Sequence, residues 1–293
     1  MSSGADSDGA AFRRRSLSAQ DGLELSFRDY GDALSPRHPL LCLSGLTRNS
    51  KDFHDLAGHH AGARRIVALD YRGRGRSDYD PDPGNYRPEV YVSDILQLLA
   101  AANLHDVVVI GTSLGGLLAM GLATVMPTAL AGVILNDVGP TLDPEASRQI
   151  IKVVRAVPPQ PDWPAAVSYL KRIMPQLNFA TEAKWLRFAE ATYRPSDDGR
   201  LRPDWDPAIL RNLARDVSQL PDLWRLYRAL GKLPVLAVRG EASTVLSEET
   251  FQRMAAENPD LVQVTVPRVG HAPALDEPLV EKAIDDFLSR IDG

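Results

Sequence analysis

The sequence has almost no cysteine and no long hydrophobic runs, and both absences exclude whole classes of protein. Cys42 is the single cysteine among 293 residues, so no intrachain disulfide can form, and its apolar neighbours predict a small buried core residue. No stretch approaches 18 uninterrupted apolar residues, which predicts that the chain does not span a membrane. No apolar segment follows the first residues, so we expect no secretory leader and a cytoplasmic protein.

An excess of positive charge is also missing. The formal net charge is −5, which gives no basic surface for nucleic acid. No glycine-rich phosphate-binding loop and no cluster of metal-ligand residues stands out, so the sequence implies no cofactor. Hydrophobic residues make up 44% and charged residues 24% of the chain, both ordinary for a globular protein. The expected partner is therefore a small molecule.

Short apolar runs alternate with helical patterns through most of the chain. Strands are predicted over residues 12–18, 23–30, 40–43, 66–69, 107–110, 133–135, 233–238 and 261–266. Helices are predicted over residues 88–103, 113–126, 247–258 and 278–291. Apolar runs without polar alternation are typical of strands that are buried on both faces. The pattern therefore predicts an α/β fold with a mostly parallel sheet flanked by helices.

One segment breaks this rhythm. Residues 140–231 are helical in pattern but interrupted by many prolines, and they contain all four tryptophans. A helical cap inserted into one α/β core fits this change. The predicted organisation is a flexible N-terminal tail at 1–11, a core domain at 12–139 and 232–293, and a helical cap at 140–231.

The pentapeptide Gly-Thr-Ser-Leu-Gly at residues 111–115 carries the strongest chemical signal. A predicted strand ends directly before it and a predicted helix begins directly after it, as a nucleophile elbow requires. Side chains at Gly111 and Gly115 would collide with so tight a turn. Ser113 is therefore predicted to stand at the carboxyl edge of the sheet as a nucleophile. The alternative is a glycine-rich turn in which Ser113 only caps the helix.

Four motifs in matching order resemble the α/β-hydrolase family. The first is Ser-Gly-Leu-Thr at 44–47, which stands where the family usually has His-Gly. The other three are Asp-Tyr-Arg-Gly-Arg-Gly-Arg-Ser at 70–77, the elbow at 111–115, and Gly-His-Ala-Pro at 270–273. The resemblance runs from about Phe12 to the end of the chain. It implies an α/β-hydrolase fold and an oxyanion hole made of the backbone N–H groups of Leu46 and Leu114. The loop at 70–77 is interpreted as structural, with its arginines pairing with Asp70.

A serine nucleophile needs a general base, and the chain has six histidines. Only His271 follows a late strand in a glycine-containing loop, which places it at the same sheet edge as Ser113. It is the predicted base. His54 follows the oxyanion loop and is a candidate pocket residue. The others are predicted to be solvated: His38, His59, His60 and His105.

The acid that should orient the base is missing from its usual loop. The resemblance puts a carboxylate three or four residues after Gly240, but Ser243 and Thr244 stand there. Three hypotheses remain open. Asp137, which follows the strand after the nucleophile helix, is the favoured acid, although it could simply be a turn residue. The acid could instead be Glu241 or Glu248 from the usual loop. The third hypothesis is that the carboxylate has been lost.

These residues together predict a carboxylic-ester or lactone hydrolase that works through an acyl-enzyme on Ser113. A C–C bond hydrolase of the same family would use the same residues, and a binding or receptor protein with weakened catalysis is a further alternative. Dehalogenases and epoxide hydrolases need a carboxylate nucleophile, which the serine argues against. The tryptophans favour a substrate with an apolar or aromatic portion. The candidate pocket residues are Arg48, His54, Trp163 and Trp185.

Overall fold

An eight-stranded sheet forms the centre of the molecule. The computed structural model describes residues 11–211 and 222–293. The strands of the sheet are β1 (Phe12–Ser18), β2 (Glu24–Tyr30), β3 (Leu40–Leu43), β4 (Ile66–Leu69), β5 (Val107–Thr112), β6 (Leu130–Asn136), β9 (Val235–Gly240) and β10 (Val262–Val266). Their spatial order is β1-β2-β4-β3-β5-β6-β9-β10. β1 and β2 pair antiparallel, β2 pairs antiparallel with β4, and all the remaining neighbours are parallel.

Helices cover both faces of this sheet. The α-helices of the described residues are α1 (His54–His60), α2 (Pro88–Ala101), α3 (Leu114–Val125), α4 (Pro144–Arg155), α5 (Trp163–Ile173), α6 (Glu182–Thr192), α7 (Leu223–Ala229), α8 (Glu248–Glu257) and α9 (Pro278–Asp292). Successive residues of one strand enter different cores, as Leu41 and Cys42 of β3 do. α2, α3, α7 and α8 pack on one side and α1 and α9 on the other. The sheet is therefore buried on both faces, which confirms the predicted α/β-hydrolase fold.

The chain between β6 and β9 contains features that the sequence pattern predicted only in part. Helices α4, α5, α6 and α7 lie in this segment, as its pattern indicated. It also contains a two-stranded antiparallel hairpin, β7 (Tyr193–Pro195) with β8 (Leu201–Pro203), that was not predicted. Residues of α5, α6 and this hairpin form a small hydrophobic core of their own. Residues 212–221 of the predicted cap, and the tail up to residue 10, lie outside the described residues.

One predicted solvated histidine is buried. His60, at the end of α1, exposes only 8% of its side chain, whereas the neighbouring His59 exposes 43%. Burial, together with a smaller effect of the nearby His59, lowers the pKa of His60 to about 4. The prediction was wrong for this residue because α1 turns it toward the core while His59 faces outward.

The loop at residues 70–77 is structural, but its arginines do not pair as predicted. Buried Arg72 binds both carboxylate oxygens of Asp94, at 2.7 and 2.8 Å, and also binds Asp80 and Asp21. Asp70 instead accepts backbone N–H groups, including that of Ser50 at 2.7 Å. This buried network ties the loop to the segment that follows β3.

Among the helices of residues 11–211 and 222–293, none combines the length and the apolar composition that a membrane span requires.

Candidate active site

Ser113 lies at the sharp turn between β5 and α3. Its backbone has φ +53° and ψ −115°, a conformation that costs free energy for a residue with a side chain. The turn is held because the Ser113 N–H donates to the Asn136 carbonyl at 3.0 Å. β5 and β6 are paired in parallel register up to Thr112 and Asn136, so the residues that follow these two strands emerge side by side.

Two glycines allow the chain to pass so closely around the serine. A Cβ atom at Gly111 would lie 2.5 Å from backbone atoms of Gly115, and one at Gly115 would lie 2.0 Å from the Leu43 carbonyl oxygen. Both contacts are with backbone, which cannot move aside as a flexible side chain does. The elbow geometry therefore depends on the absence of side chains at these two positions.

We expect Gly115→Ala to lower the free energy of unfolding by about 3 kcal/mol, since its methyl group overlaps the Leu43 carbonyl. Gly58→Ala is the matched control, because a Cβ at Gly58 in α1 meets nothing within 4 Å. Alanine favours a helix over glycine, so this control should be neutral or stabilising by about 0.5–1 kcal/mol. Urea unfolding followed by circular dichroism measures both. Equal stability of the two variants would contradict the close approach at the elbow.

A chain of hydrogen bonds joins Ser113, His271 and Asp137. His271 Nε2 lies 3.0 Å from Ser113 Oγ, and His271 Nδ1 lies 2.7 Å from Asp137 Oδ2. An ionised carboxylate can only accept, so Nδ1 carries the proton and Nε2 is free to accept the serine proton. The carboxylate is fully buried, whereas the His271 side chain is 20% exposed. The three side chains have the order and spacing of a nucleophile, a base and an orienting acid.

Asp137 follows β6 directly and is held by donors from the loop after β9. Its Oδ1 accepts the Gly240 N–H at 2.9 Å, and its Oδ2 accepts the Ser243 hydroxyl at 2.6 Å. Its own N–H donates to the Val238 carbonyl at 2.8 Å. These bonds fix a buried carboxylate that would otherwise be costly to desolvate. Of the open hypotheses for the acid, this geometry favours Asp137.

The two glutamates that were alternatives for the acid point elsewhere. Glu241 Oε2 accepts the Arg268 N–H at 2.8 Å on the surface of the protein. Glu248 begins α8, where its 57% exposed side chain pairs with Arg239 at 3.0 Å. The carboxylate that contacts His271 is that of Asp137. The glutamates therefore stabilise the loop and a helix terminus rather than the histidine.

The two backbone N–H groups expected to form an oxyanion hole flank the serine. Leu114 is the first residue of α3, where an N–H has no partner within the helix. Leu46 follows Gly45, whose added Cβ would lie 3.8 Å from the Ser113 Cβ. Among the residues that the structure describes, neither N–H donates to a protein acceptor. The Leu46 carbonyl, which belongs to the next peptide unit, accepts from buried Arg74 at 2.9 Å, and this bond anchors the loop after β3.

A cavity of about 540 Å³ opens onto Ser113 and His271. Its wall is mainly apolar, and its aromatic members are Phe53, Phe179 and Phe188. One face of α4 contributes residues at helical spacing, namely Ala146, Gln149, Ile150 and Val153. Sequence reasoning missed these residues, although the apolar periodicity of α4 was a usable signal. A cavity of this size and lining fits a small, largely apolar molecule.

The four candidate pocket residues divide into two pairs. Arg48 and His54 line the cavity. Trp163 and Trp185 do not: Trp185 is buried in the small core of the inserted segment, and Trp163 packs against that core. The tryptophan prediction was therefore wrong in detail, because these rings stabilise the inserted segment and phenylalanines supply the aromatic wall.

Every cationic side chain on the cavity wall already has an anionic partner. Arg48 binds both oxygens of Asp52, at 2.8 and 2.5 Å, and donates to Thr192. The remaining pairs are Lys51 with Asp204, Lys184 with Asp276, and Arg187 with Asp55. Arg48 thus links the loop after β3 to the end of α6.

The described residues contain one group of three possible metal ligands, His59, His60 and Asp285. It lies on α1 and α9, and none of its members lines the cavity. The cavity wall includes Ser113, His271 and Leu46.

Comparison with known proteins places the chain in a family. Residues 40–283 match the sequence model described as the alpha/beta hydrolase family, so the chain belongs to that family. A solved structure of an alpha/beta hydrolase from Novosphingobium aromaticivorans superimposes with a TM-score of 0.90. It is 40% identical, and the match covers 97% of this chain and 100% of that one.

Two curated relatives have hydrolase names. A 3-hydroxybutyrate-oligomer hydrolase from Cupriavidus necator is 33% identical, over 87% of this chain and 89% of its own length. A 2-(acetamidomethylene)succinate hydrolase from Mesorhizobium japonicum is 32% identical, over 85% of this chain and 87% of its own length. The names support a hydrolase in general and differ in the substrate they give.

Proposed function

We propose that this protein is a serine hydrolase that cleaves a small carboxylic ester through an acyl-enzyme on Ser113. The observation that carries the proposal is the hydrogen-bond chain from Ser113 Oγ through His271 to Asp137, with distances of 3.0 and 2.7 Å, at the wall of an open cavity. Family membership and the hydrolase names of the relatives support it. In this proposal Ser113 is the nucleophile, His271 the general base and Asp137 the acid.

The reaction follows from the roles of these atoms. Ser113 Oγ attacks the ester carbonyl carbon while its proton passes to His271 Nε2. The tetrahedral intermediate carries a negative oxygen, which the N–H groups of Leu46 and Leu114 stabilise, each by about 3–4 kcal/mol. The intermediate then expels the alcohol, which takes the proton from His271. Water attacks the acyl-enzyme by the same route and releases the carboxylic acid and the free serine.

The cavity supports a substrate with a compact apolar portion. Its wall is mainly apolar, and its charged groups are paired with one another. A short hydroxy-acid ester, of the kind in the name of the Cupriavidus relative, combines a small aliphatic part with an ester bond and fits this wall. A lactone would present the same carbonyl to the same residues.

We expect a fluorophosphonate probe to label the wild-type protein on Ser113 and to leave Ser113→Ala unlabelled, because only an activated serine reacts at phosphorus. Short-chain nitrophenyl esters should be hydrolysed by the wild-type protein. A panel of 3-hydroxybutyrate oligomers and lactones then identifies the preferred class. Mass spectrometry locates the label.

Three results would change the assignment. No label on Ser113 would favour a binding protein on this fold. A label without hydrolysis of any ester or lactone would favour cleavage of a C–C bond by the same residues. Labelling that persists in Ser113→Ala would place the reactive group elsewhere.

A further inference from the structure

The loop that lacks the expected acid still contacts the acid. Ser243 stands three residues after Gly240, at the position where the resemblance places a carboxylate. Its Oγ lies 2.6 Å from Oδ2 of Asp137, the same oxygen that accepts from His271 Nδ1. One hydroxyl group therefore touches the carboxylate oxygen on which the histidine depends.

The direction of this hydrogen bond is settled by the neighbours of the hydroxyl. Ser243 Oγ accepts the N–H of Val245 at 3.1 Å and that of Leu246 at 3.3 Å. The carboxylate can only accept. With backbone donors on its acceptor side, the Ser243 hydroxyl must direct its proton at Asp137.

The carboxylate has few other means of support. Asp137 is fully buried, and among the described residues its ion-pair partner is His271 alone, with no arginine or lysine. A buried carboxylate needs hydrogen bonds to remain charged and oriented. Gly240 holds Oδ1, so within the described part of the chain Oδ2 is held by Ser243 and by the histidine that it must itself orient.

We infer that Ser243 is a positioning residue for the reaction: its hydroxyl fixes Asp137 in the orientation that holds His271 toward Ser113. The inference rests on the proposed function. Without the hydroxyl, Oδ2 loses its fixed partner and the carboxylate can rotate away from Nδ1. The residue at the usual acid position would then have changed from supplying the acid to holding it.

Ser243→Ala tests the inference through kcat. A hydrogen bond to a charged group of this kind corresponds to a loss of about 10- to 100-fold in kcat on a nitrophenyl ester, with KM little changed, since Ser243 does not line the cavity. Ser243→Thr keeps a hydroxyl and should restore most of the activity. In an Asp137→Asn background, Ser243→Ala should lower kcat no further, because the partner through which it acts is gone.

Ser247→Ala is the matched control. Ser247 lies four residues further along the same loop and caps α8 by accepting the Thr250 N–H at 3.1 Å, without contact to Asp137. Losing that cap should lower the melting temperature while leaving kcat at the wild-type value. Comparing the two alanine variants separates loop stability from positioning of the acid.

The inference fails if Ser243→Ala keeps wild-type kcat, if Ser247→Ala loses as much activity, or if Ser243→Ala costs the same in the Asp137→Asn background. Its failure and that of the proposed function are distinguishable. Full activity of Asp137→Asn would remove the proposed acid and this inference together. An inactive Asp137→Asn with a fully active Ser243→Ala would remove only the role of Ser243.

Discussion

Asp137→Asn is expected to lower kcat about ten-thousand-fold while the protein stays folded. Asparagine has nearly the same shape, so the contacts of the buried site with Gly240 and Ser243 can be kept in part. It carries no charge to stabilise the imidazolium that forms when His271 takes the serine proton, and its amide group can present a donor to Nδ1 and so favour the wrong tautomer. Ester hydrolysis and thermal unfolding of the purified variant measure the two parts of this expectation.

Two matched carboxylates serve as controls for this result. Glu241→Gln and Glu248→Gln remove the alternative acids, which bind Arg268 N–H and Arg239 and do not reach the histidine. Both variants should keep wild-type kcat. Near wild-type activity of Asp137→Asn would contradict the assignment of the acid. A large gain in Thr244→Asp would indicate instead that the loop after β9 has lost its acid and that the site is incomplete.

Ser113→Ala is expected to lower kcat by about a million-fold, the size of effect seen when one member of such a catalytic unit is removed. His271→Ala should cost about as much, and the double variant should be no worse than either single one. The reason is that serine and histidine act as one unit, so the second loss removes nothing further. Residual hydrolysis would come from the oxyanion donors at Leu46 and Leu114 and from substrate binding.

Ser93→Ala provides the control for the serine variant. Ser93 lies on α2, contacts Gln97, and does not line the cavity. Its loss should leave kcat unchanged. If Ser113→Ala retains more than a small fraction of the activity, or if the two single losses multiply in the double variant, the acyl-enzyme route is excluded.

The sheet and the placement of Ser113 at a turn between a strand and a helix were predictable because local signals determine them. β3 and β4 begin and end where the apolar runs do, since strands buried on both faces need such runs. The elbow was predictable because tight packing against the Leu43 carbonyl admits only glycine at Gly115. The position of His271 beside Ser113 followed from its place after the last strand.

The acid and the pocket could not be settled in the same way. Asp137 and Glu241 both follow parallel strands at the same sheet edge, and only side-chain directions distinguish them. The β7–β8 hairpin consists of three-residue strands that each end in proline, too short to show a period. The composition of the sequence does not show which aromatic rings face the cavity, because that depends on how α6 packs.

The parallel register of β5 and β6 has a consequence for how such a protein can diversify. On the proposed roles, the nucleophile and the acid each stand one residue beyond the paired Thr112 and Asn136. The hydrogen-bond register of these two strands therefore fixes the distance between them. On the same roles, the loop after β9 does not have to supply the acid, and it contributes Ala242, Thr244 and Val245 to the cavity wall. The reacting groups and this part of the cavity wall thus lie on different segments of the chain. Substitutions at those three positions can change the substrate preference while the reacting groups keep their positions.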